Sequence, residues 1–448
     1  MKTSTASNLP EAQTSVNRTA AYIPVHGEGG TQAAHATRRH YDMGLMVCAM
    51  ALLGFGCVMV YSASIGVAHI KMSDSAVYLK KHLVHLFIGL AIMGVAIMVG
   101  YHNYRRYVYA ILGVSLVLLV LVVAGLGITR GHSTRWIGMG FFEFQPSELA
   151  KLAFVIYLAY SLEKKLQRID SFSIAFVPHV VMCGIMILLC LAQPDLGTCL
   201  LLAAVMFVML FVGGTRVSYI AGLSFVGVWL AVGFIANSPN RLGRIGSWLN
   251  PWEDRYAAGY QIVNALTSLG SGGLTGLGLG EGRQKMGFLT QGWTDFIFSS
   301  VGEELGLIGS ILVVGAFSFM CWRGFVIARR APDSFGRFLA FGITCLIGGQ
   351  AAFNMGVAVG IVPTKGLNLP LVSGGGSSML ISCLAIGILL NISTWVSAPE
   401  GATRVRAERK KNRTYKVTRE KSRRPKRKAI TQRESGIRTF VRKAGGEQ

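Results

Sequence analysis

Asp254 ends the run Trp248-Leu249-Asn250-Pro251-Trp252-Glu253-Asp254, inside a long polar stretch, residues 237–300, of an otherwise apolar sequence. A carboxylate held in place can take a proton from a hydroxyl. Tryptophans beside it can fix a loop at a membrane surface. A loop acid that only meets water has the same sequence signature, so both readings stand. Asp295 follows Thr294 just before an apolar segment; an acid there suits a helix N-terminus and reads as a cap. Glu148 and Lys151 lie three residues apart, on one face of a helix, and can pair. Asp195 sits in Gln193-Pro194-Asp195-Leu196-Gly197-Thr198, where proline breaks the helix and frees backbone groups, or where the acid caps the next helix. Glu303 and Glu304 open a further apolar segment. Charges in apolar surroundings are costly, so each is either a packing device or a working group.

The elements that carry these residues are membrane helices. Of the 448 residues 52% are apolar, and they fall in blocks of the length that crosses a bilayer. Ten spans are predicted, at 43–65, 82–100, 107–127, 146–162, 174–192, 196–214, 217–236, 301–322, 336–360 and 376–396. The fourth begins with Pro146-Ser147-Glu148 and is expected to start inside a cavity. The fold class is therefore all-α and polytopic, with one large extracytoplasmic loop, 237–300. Short connections suffice between membrane helices, so a loop of that length is expected to work.

Lys and Arg set the orientation. With the N-terminus in the cytoplasm, the inner connections carry Arg105, Arg106, Lys164, Lys165, Arg168, Arg216, Arg323, Arg329, Arg330 and Arg337, and the long loop falls outside. An even number of spans returns the C-terminus to the cytoplasm. Residues 1–42 are read as a disordered cytoplasmic tail, 43–396 as the membrane domain, and 397–448 as a basic cytoplasmic tail. Beyond Glu400 there are 18 Lys and Arg against 4 acids, so the tail supplies +14 of the net +23. A polybasic segment beside a membrane helix meets anionic lipid, and no nucleic acid is expected. No apolar run follows the start, so no cleavable signal peptide is expected.

Several chemistries lack their motif. Gly270 to Gly282 is glycine-rich but does not fit GxGxxG, and no P-loop, GxSxG or HExxH occurs. No nucleotide or organic cofactor is expected. The eight cysteines lie in or beside apolar spans without CxxC spacing, and read as small core residues.

Taken together, Arg135-Trp136-Ile137, Gln145-Pro146-Ser147-Glu148, Gln193-Pro194-Asp195-Leu196-Gly197-Thr198, Gly259-Tyr260-Gln261, Asp295-Phe296-Ile297-Phe298 with Gly302-Glu303-Glu304-Leu305-Gly306, and Leu369-Pro370-Leu371-Val372-Ser373 with its glycine run resemble the signatures of the SEDS family, in family order. These are the shape, elongation, division and sporulation proteins of bacteria. The resemblance spans about residues 43–396, and Asn250-Pro251-Trp252-Glu253-Asp254 looks most like the division type. It implies a peptidoglycan glycosyltransferase that polymerises lipid II on the outer face of the cytoplasmic membrane, at the division septum. It also implies a class B penicillin-binding protein as transpeptidase partner, other divisome proteins nearby, and Asp254 as catalytic acid/base. The family usually has proline after that aspartate. Here Arg255 stands in its place, so either the loop is less rigid or Arg255 pairs with Asp254.

The chemistry makes three demands. A base must take the proton of the attacking sugar hydroxyl; Asp254 is expected in that role. The leaving diphosphate needs positive charge, from Arg135, Lys151, Arg244 or Lys365, or from a divalent cation, Mg2+ or Mn2+. Glu148 and Asp195 are expected to line the substrate cavity with them. The lipid tails need an apolar groove. A lipid II flippase, or a non-catalytic scaffold for the penicillin-binding protein, are the competing classes: buried charges among many spans suit a transporter too.

Overall fold

The computed structural model describes residues 37–38, 41–72, 75–130, 133–139, 142–169, 171–237, 239–257, 259–283 and 292–396. The predicted tails, 1–42 and 397–448, lie almost wholly outside the described residues. The chain builds α1 (Met43–Met72), α2 (Val77–Met98), α3 (Tyr101–Arg106), α4 (Val108–Leu121), α5 (Pro146–Lys165), α6 (Val177–Ala192), α7 (Leu196–Val212), α8 (Val217–Ala236), α9 (Pro239–Leu249), α10 (Tyr260–Gly272), α11 (Ile297–Arg330), α12 (Ser334–Ala358) and α13 (Gly376–Ser393). The strands are β1 (Thr37–Arg38), β2 (Ile128–Arg130), β3 (Ser133–Met139), β4 (Phe142–Phe144) and β5 (Trp395–Val396).

Among the described residues, eight helical segments are long and apolar enough to cross a bilayer, the π-helical turns Val122–Leu126 and Phe172–Phe176 extending α4 and α6. The fourth and sixth predicted spans are also helices, α5 and α7. The first carries Glu148, Lys151, Glu163, Lys164 and Lys165, and the second has 17 residues. A bilayer offers no water to backbone groups, so apolar stretches close their hydrogen bonds as helices. Burial is inverted relative to a water-soluble protein. No residue of α8 is buried, and Phe225 and Trp229 are 75% and 70% exposed, which suits lipid as the neighbour. At the centre stand α5, α12 and α13, which bury most of their residues and carry the polar side chains described below.

Two connections differ from expectation. The short connection expected after the third span carries an antiparallel sheet in the order β2-β3-β4, with Ile128 opposite Trp136 and Ile137 opposite Phe144. The stretch 237–300 folds into α9, a turn over 250–257, α10 and a glycine-rich segment to Arg283, and α11 already begins at Ile297. We call the end of the bundle carrying these parts the loop face, and the opposite end the tail face. On the tail face Asp42 caps α1 at Leu45 N and accepts two bonds from Arg323, Nε at 3.1 Å and Nη2 at 2.5 Å. There β1 pairs with β5.

The glycine-rich segment has a structural role. Helix α11 is broken at Gly306, whose φ of +67° and ψ of −161° suit glycine alone. The segment after α10 splices into the break. Leu307 N and Ile308 N donate to the Gly273 and Leu274 carbonyls, and Leu277 N and Gly278 N donate to the Glu303 and Glu304 carbonyls, all at 2.9–3.2 Å. A Cβ at Gly276 or Gly306 would strike the opposing backbone. Glu303 and Glu304, both buried, hold the same segment. Arg283 N donates to Glu303 Oε1 at 2.6 Å, and Gly280 N to Glu304 Oε2 at 3.2 Å. Their packing reading is the one the structure supports.

Candidate active site

Helix α5 starts at Pro146, a residue suited to the first helical turn. Its opening turn, Pro146, Ser147 and Glu148, is buried. One turn further, Lys151 is 1% exposed. Lys151 Nζ donates to Glu148 Oε1 at 2.9 Å and to Gln350 Oε1 at 2.7 Å. Two charges so far from water persist only when paired and hydrogen-bonded, and this pair is both.

Asp195 plays two parts. It caps α7, accepting from Thr198 N at 3.3 Å and Thr198 Oγ1 at 2.9 Å. It also faces Arg135 of β3, whose Nη1 lies 3.7 Å from Asp195 Oδ1. Arg135 is steered there by the backbone that Pro194 frees: its Nε donates to the Gln193 carbonyl at 3.0 Å, and its Nη2 to the Pro194 carbonyl. Ser147 Oγ reaches Asp195 Oδ2 at 3.3 Å, so the start of α5 belongs to the same cluster.

Asp295 is not a cap. The N-cap of α11 is Phe296, and no side chain caps that helix. The carboxyl instead stands deep in the protein with part of its surface accessible, within electrostatic reach of Arg135 and Asp195. Burial pushes its pKa up to about 7; Arg135 pulls it down and Asp195 adds a smaller upward push. Gly366 packs against it: a Cβ there would lie 3.0 Å from Asp295 Oδ2. Lys365, next to that glycine, is half-buried in the same turn.

Asp254 and Arg244 are placed differently. Both are exposed, Asp254 on the 250–257 turn and Arg244 on α9. The turn is tight: Gly259 N and Ala257 N donate to the Asp254 carbonyl at 3.0 and 3.3 Å, and a Cβ at Gly259 would meet the Pro251 and Asp254 carbonyls. That close approach explains the glycine of Gly259-Tyr260-Gln261. The Arg255 guanidinium lies over the Tyr256 ring, 4.7 Å from its centroid. Trp248, one of the tryptophans that can anchor a loop at a membrane surface, donates from Nε1 to the Gly360 carbonyl at 2.8 Å, fastening α9 to the end of α12.

The structure thus gathers Arg135, Asp195 and Asp295, with the Lys365 turn against Asp295 and Glu148–Lys151 bridged by Gln350. Asp295 is the residue whose role the sequence reading missed. The signal was present: Asp295-Phe296-Ile297-Phe298 was itself among the family signatures, and an acid before a helix simply resembles a cap.

Comparison with known proteins agrees with this arrangement of motifs. The sequence profile of the FtsW/RodA/SpoVE family, described as a cell cycle protein, matches residues 43–398. The chain belongs to this family. A probable peptidoglycan glycosyltransferase FtsW of Geobacter metallireducens is 46% identical over 355 residues, covering 79% of this chain and 95% of that protein. Stage V sporulation protein E of Bacillus subtilis is 42% identical over 357 residues, covering 79% and 97%. Among solved structures, a chain of a peptidoglycan synthase complex, studied for the coordination of polymerization and crosslinking, superimposes with a TM-score of 0.66 at 27% identity. It covers 79% of this chain and 97% of that one. This FtsW/RodA/SpoVE protein is a multi-pass membrane protein, and its cluster of charges is built on the family's own motifs.

Among the described residues no three His, Cys, Asp or Glu side chains are grouped to hold a metal ion. Mg2+ is commonly held by one or two carboxylates together with substrate phosphates. Asp195 fits such a shared site in chemistry as a single carboxylate, with the diphosphate supplying the remaining oxygens.

Proposed function

We propose that this protein is a peptidoglycan glycosyltransferase that polymerises lipid II for septal wall synthesis, with Asp295 as the general base. The observation that carries the site assignment is Asp295 itself: a carboxyl with a pKa near 7, facing Arg135, on a turn packed against Lys365. A base poised near neutral pH is ionised for a useful fraction of the time and still accepts protons readily. Asp254 stands exposed on its turn and lacks the burial that raises a carboxyl toward neutral pH, so the acid/base role is assigned to Asp295 instead.

The sugar hydroxyl of one substrate attacks the anomeric carbon of the other, and its proton passes to Asp295. The new glycosidic C–O bond forms as the bond from that carbon to the lipid diphosphate breaks. Negative charge growing on the departing phosphate is met by Arg135 and Lys365. Lys151, bound to Glu148, sets the potential deeper in the site. A divalent cation carried with the diphosphate would add positive charge there. An apolar groove of about 500 Å³ beside the α11 break, lined by Leu269, Phe298, Leu307, Ile311 and Val314, is chemically suited to an apolar chain. The free energy is in the diphosphate linkage, so the reaction needs no nucleotide.

The positive-inside pattern supports cytoplasmic termini and an outward loop face. The likeness to a chain of a peptidoglycan synthase complex supports a class B penicillin-binding protein as partner, and the FtsW relatives support a place at the septum among divisome proteins. Initial rates of glycan formation from labelled lipid II by purified protein with its partner test the reading. Loss of polymerisation in a folded Asp295→Asn protein is expected. Full activity there removes Asp295 as base, and transport of labelled lipid without polymerisation would favour the flippase.

A further inference from the structure

Three successive backbone carbonyls lead to the Asp295 carboxyl, and each is held by a different group. Gly374 N donates to the Trp293 carbonyl at 2.9 Å. Ser373 Oγ donates to the Thr294 carbonyl at 2.7 Å. Asn354 Nδ2 donates to the Asp295 carbonyl at 2.8 Å. The same Asn354 nitrogen donates its second hydrogen to the Leu367 carbonyl at 2.6 Å. One turn earlier on α12, Gln350 Nε2 donates to the next carbonyl of that turn, Asn368, at 3.0 Å, while its Oε1 receives Lys151. Gln350 and Asn354 are 4% and 1% exposed and lie on one face of the helix.

The two amides therefore end on consecutive carbonyls of the turn that carries Lys365 and Gly366. From that shared base one reaches Lys151 and the other reaches Asp295. An amide NH2 group is planar, with two hydrogens at a fixed angle. When both are spent on buried carbonyls, the distance between those carbonyls is set, because leaving either bond unmade has a large penalty.

We propose that Asn354 is a positioning residue for glycosyl transfer: by bridging the Asp295 and Leu367 carbonyls it fixes the base against the Lys365 turn, and Gln350 ties that same turn to Lys151. Ser373 assists from the other side of the 293–295 backbone. Asn354 touches no reacting atom. It acts by holding the main chain from which the carboxyl projects, and a misplacement of about 1 Å can cost on the order of 100-fold in rate. The proposal rests on the assignment of Asp295 as base.

The test uses the full chain with its penicillin-binding partner in lipid nanodiscs, and labelled lipid II as substrate. Asn354→Ser removes the two-armed donor; Ser373→Ala removes one hydroxyl and is the milder change. At equal amounts of folded protein, kcat is expected to fall roughly 10- to 100-fold in Asn354→Ser and about 3-fold or more in Ser373→Ala, with KM within about 3-fold of the parent. The midpoint of the pH–rate profile is expected to move as well, since the carboxyl shifts relative to Arg135 and Asp195, the charged groups that face it. Less folded protein with unchanged kcat per folded molecule and an unmoved midpoint would overturn the proposal. If Asn354→Ser does not fold, Ser373→Ala decides by the same criteria. Asp295→Asn is measured alongside. Full activity in that variant removes the base assignment itself, whereas an inactive Asp295→Asn with unchanged Asn354→Ser and Ser373→Ala kinetics removes only the positioning role.

Discussion

Two turns in the same loop region each present an aspartate on the loop face, and they are built in opposite ways. Around Asp254 the chain closes on itself: its carbonyl bonds to Ala257 and Gly259, Asn250 Nδ2 donates to Glu253 at 2.9 Å, and Arg255 stacks on its neighbour Tyr256. Around Asp295 the chain is held by distant segments, from α12 and from the stretch before α13. Local closure makes a turn; long-range closure brings a carboxyl within electrostatic reach of a cation that arrives from β3. A proton acceptor near neutral pH needs burial to raise its pKa and a positive charge to limit that rise; the second turn has both, whereas the first is exposed.

Exchange of the two carboxylates for amides is the most severe way to break that comparison. Asp295→Asn is expected to lower polymerisation on the order of 100-fold or more, while Asp254→Asn stays within about 3-fold, at equal folded protein. Initial rates from labelled lipid II read both. An inactive Asp254→Asn beside an active Asp295→Asn would return the role to the exposed turn.

A somewhat smaller effect separates the glycine splice from the exposed turn. Gly306→Ala forces a side chain into a conformation reserved for glycine and against the Leu274 carbonyl. A loss of about 2 kcal/mol or more of stability is expected. A thermal midpoint in detergent measures it, and an unchanged midpoint would show that the segment does not hold the α11 break.

The pH dependence sharpens the electrostatic half of the comparison. A base works ionised, so the rate is expected to rise with pH through about 7 and level off above it. Arg135 lowers the Asp295 pKa, so Arg135→Gln should move that midpoint upward. Stability has the opposite sign. The folded pKa lies above the ordinary carboxylate value, so this group's contribution is fully present at low pH and is lost as pH rises through about 7. A midpoint that stays put in Arg135→Gln would detach Arg135 from the base.

The membrane helices were legible because their signal is apolar length, which the bilayer imposes on each span separately. Glu148 and Lys151 were legible as a pair for a similar reason, since three residues on a helix fix their neighbourhood. Asp195 was read as either a helix cap or a group lining the substrate cavity; it is a cap, and its partner Arg135 comes from a sheet the apolar pattern did not reveal. Asp295 was misread because capping is a local rule, whereas its surroundings come from residues 135, 195 and 366. The glycine-rich segment failed every ligand motif because its role is to meet another backbone. Side chains that act alone or at helical spacing can be read along the chain; a site assembled from five segments cannot.

The mildest change concerns how the exposed turn is tethered. Trp248, the penultimate residue of α9, donates to the carbonyl of Gly360, just past α12, so the helix leading into Asn250 is fastened to the same bundle element that carries Asn354. Trp248→Phe keeps the ring's apolar contacts and removes the N–H. One hydrogen bond of this kind contributes about 1 kcal/mol. The expected result is a small drop in thermal midpoint, faster amide exchange across residues 250–257, and a polymerisation rate within about 2-fold of the parent. A larger fall in rate would mean that the tether transmits to the Asp295 turn through α12, and the two regions would then be one mechanical unit.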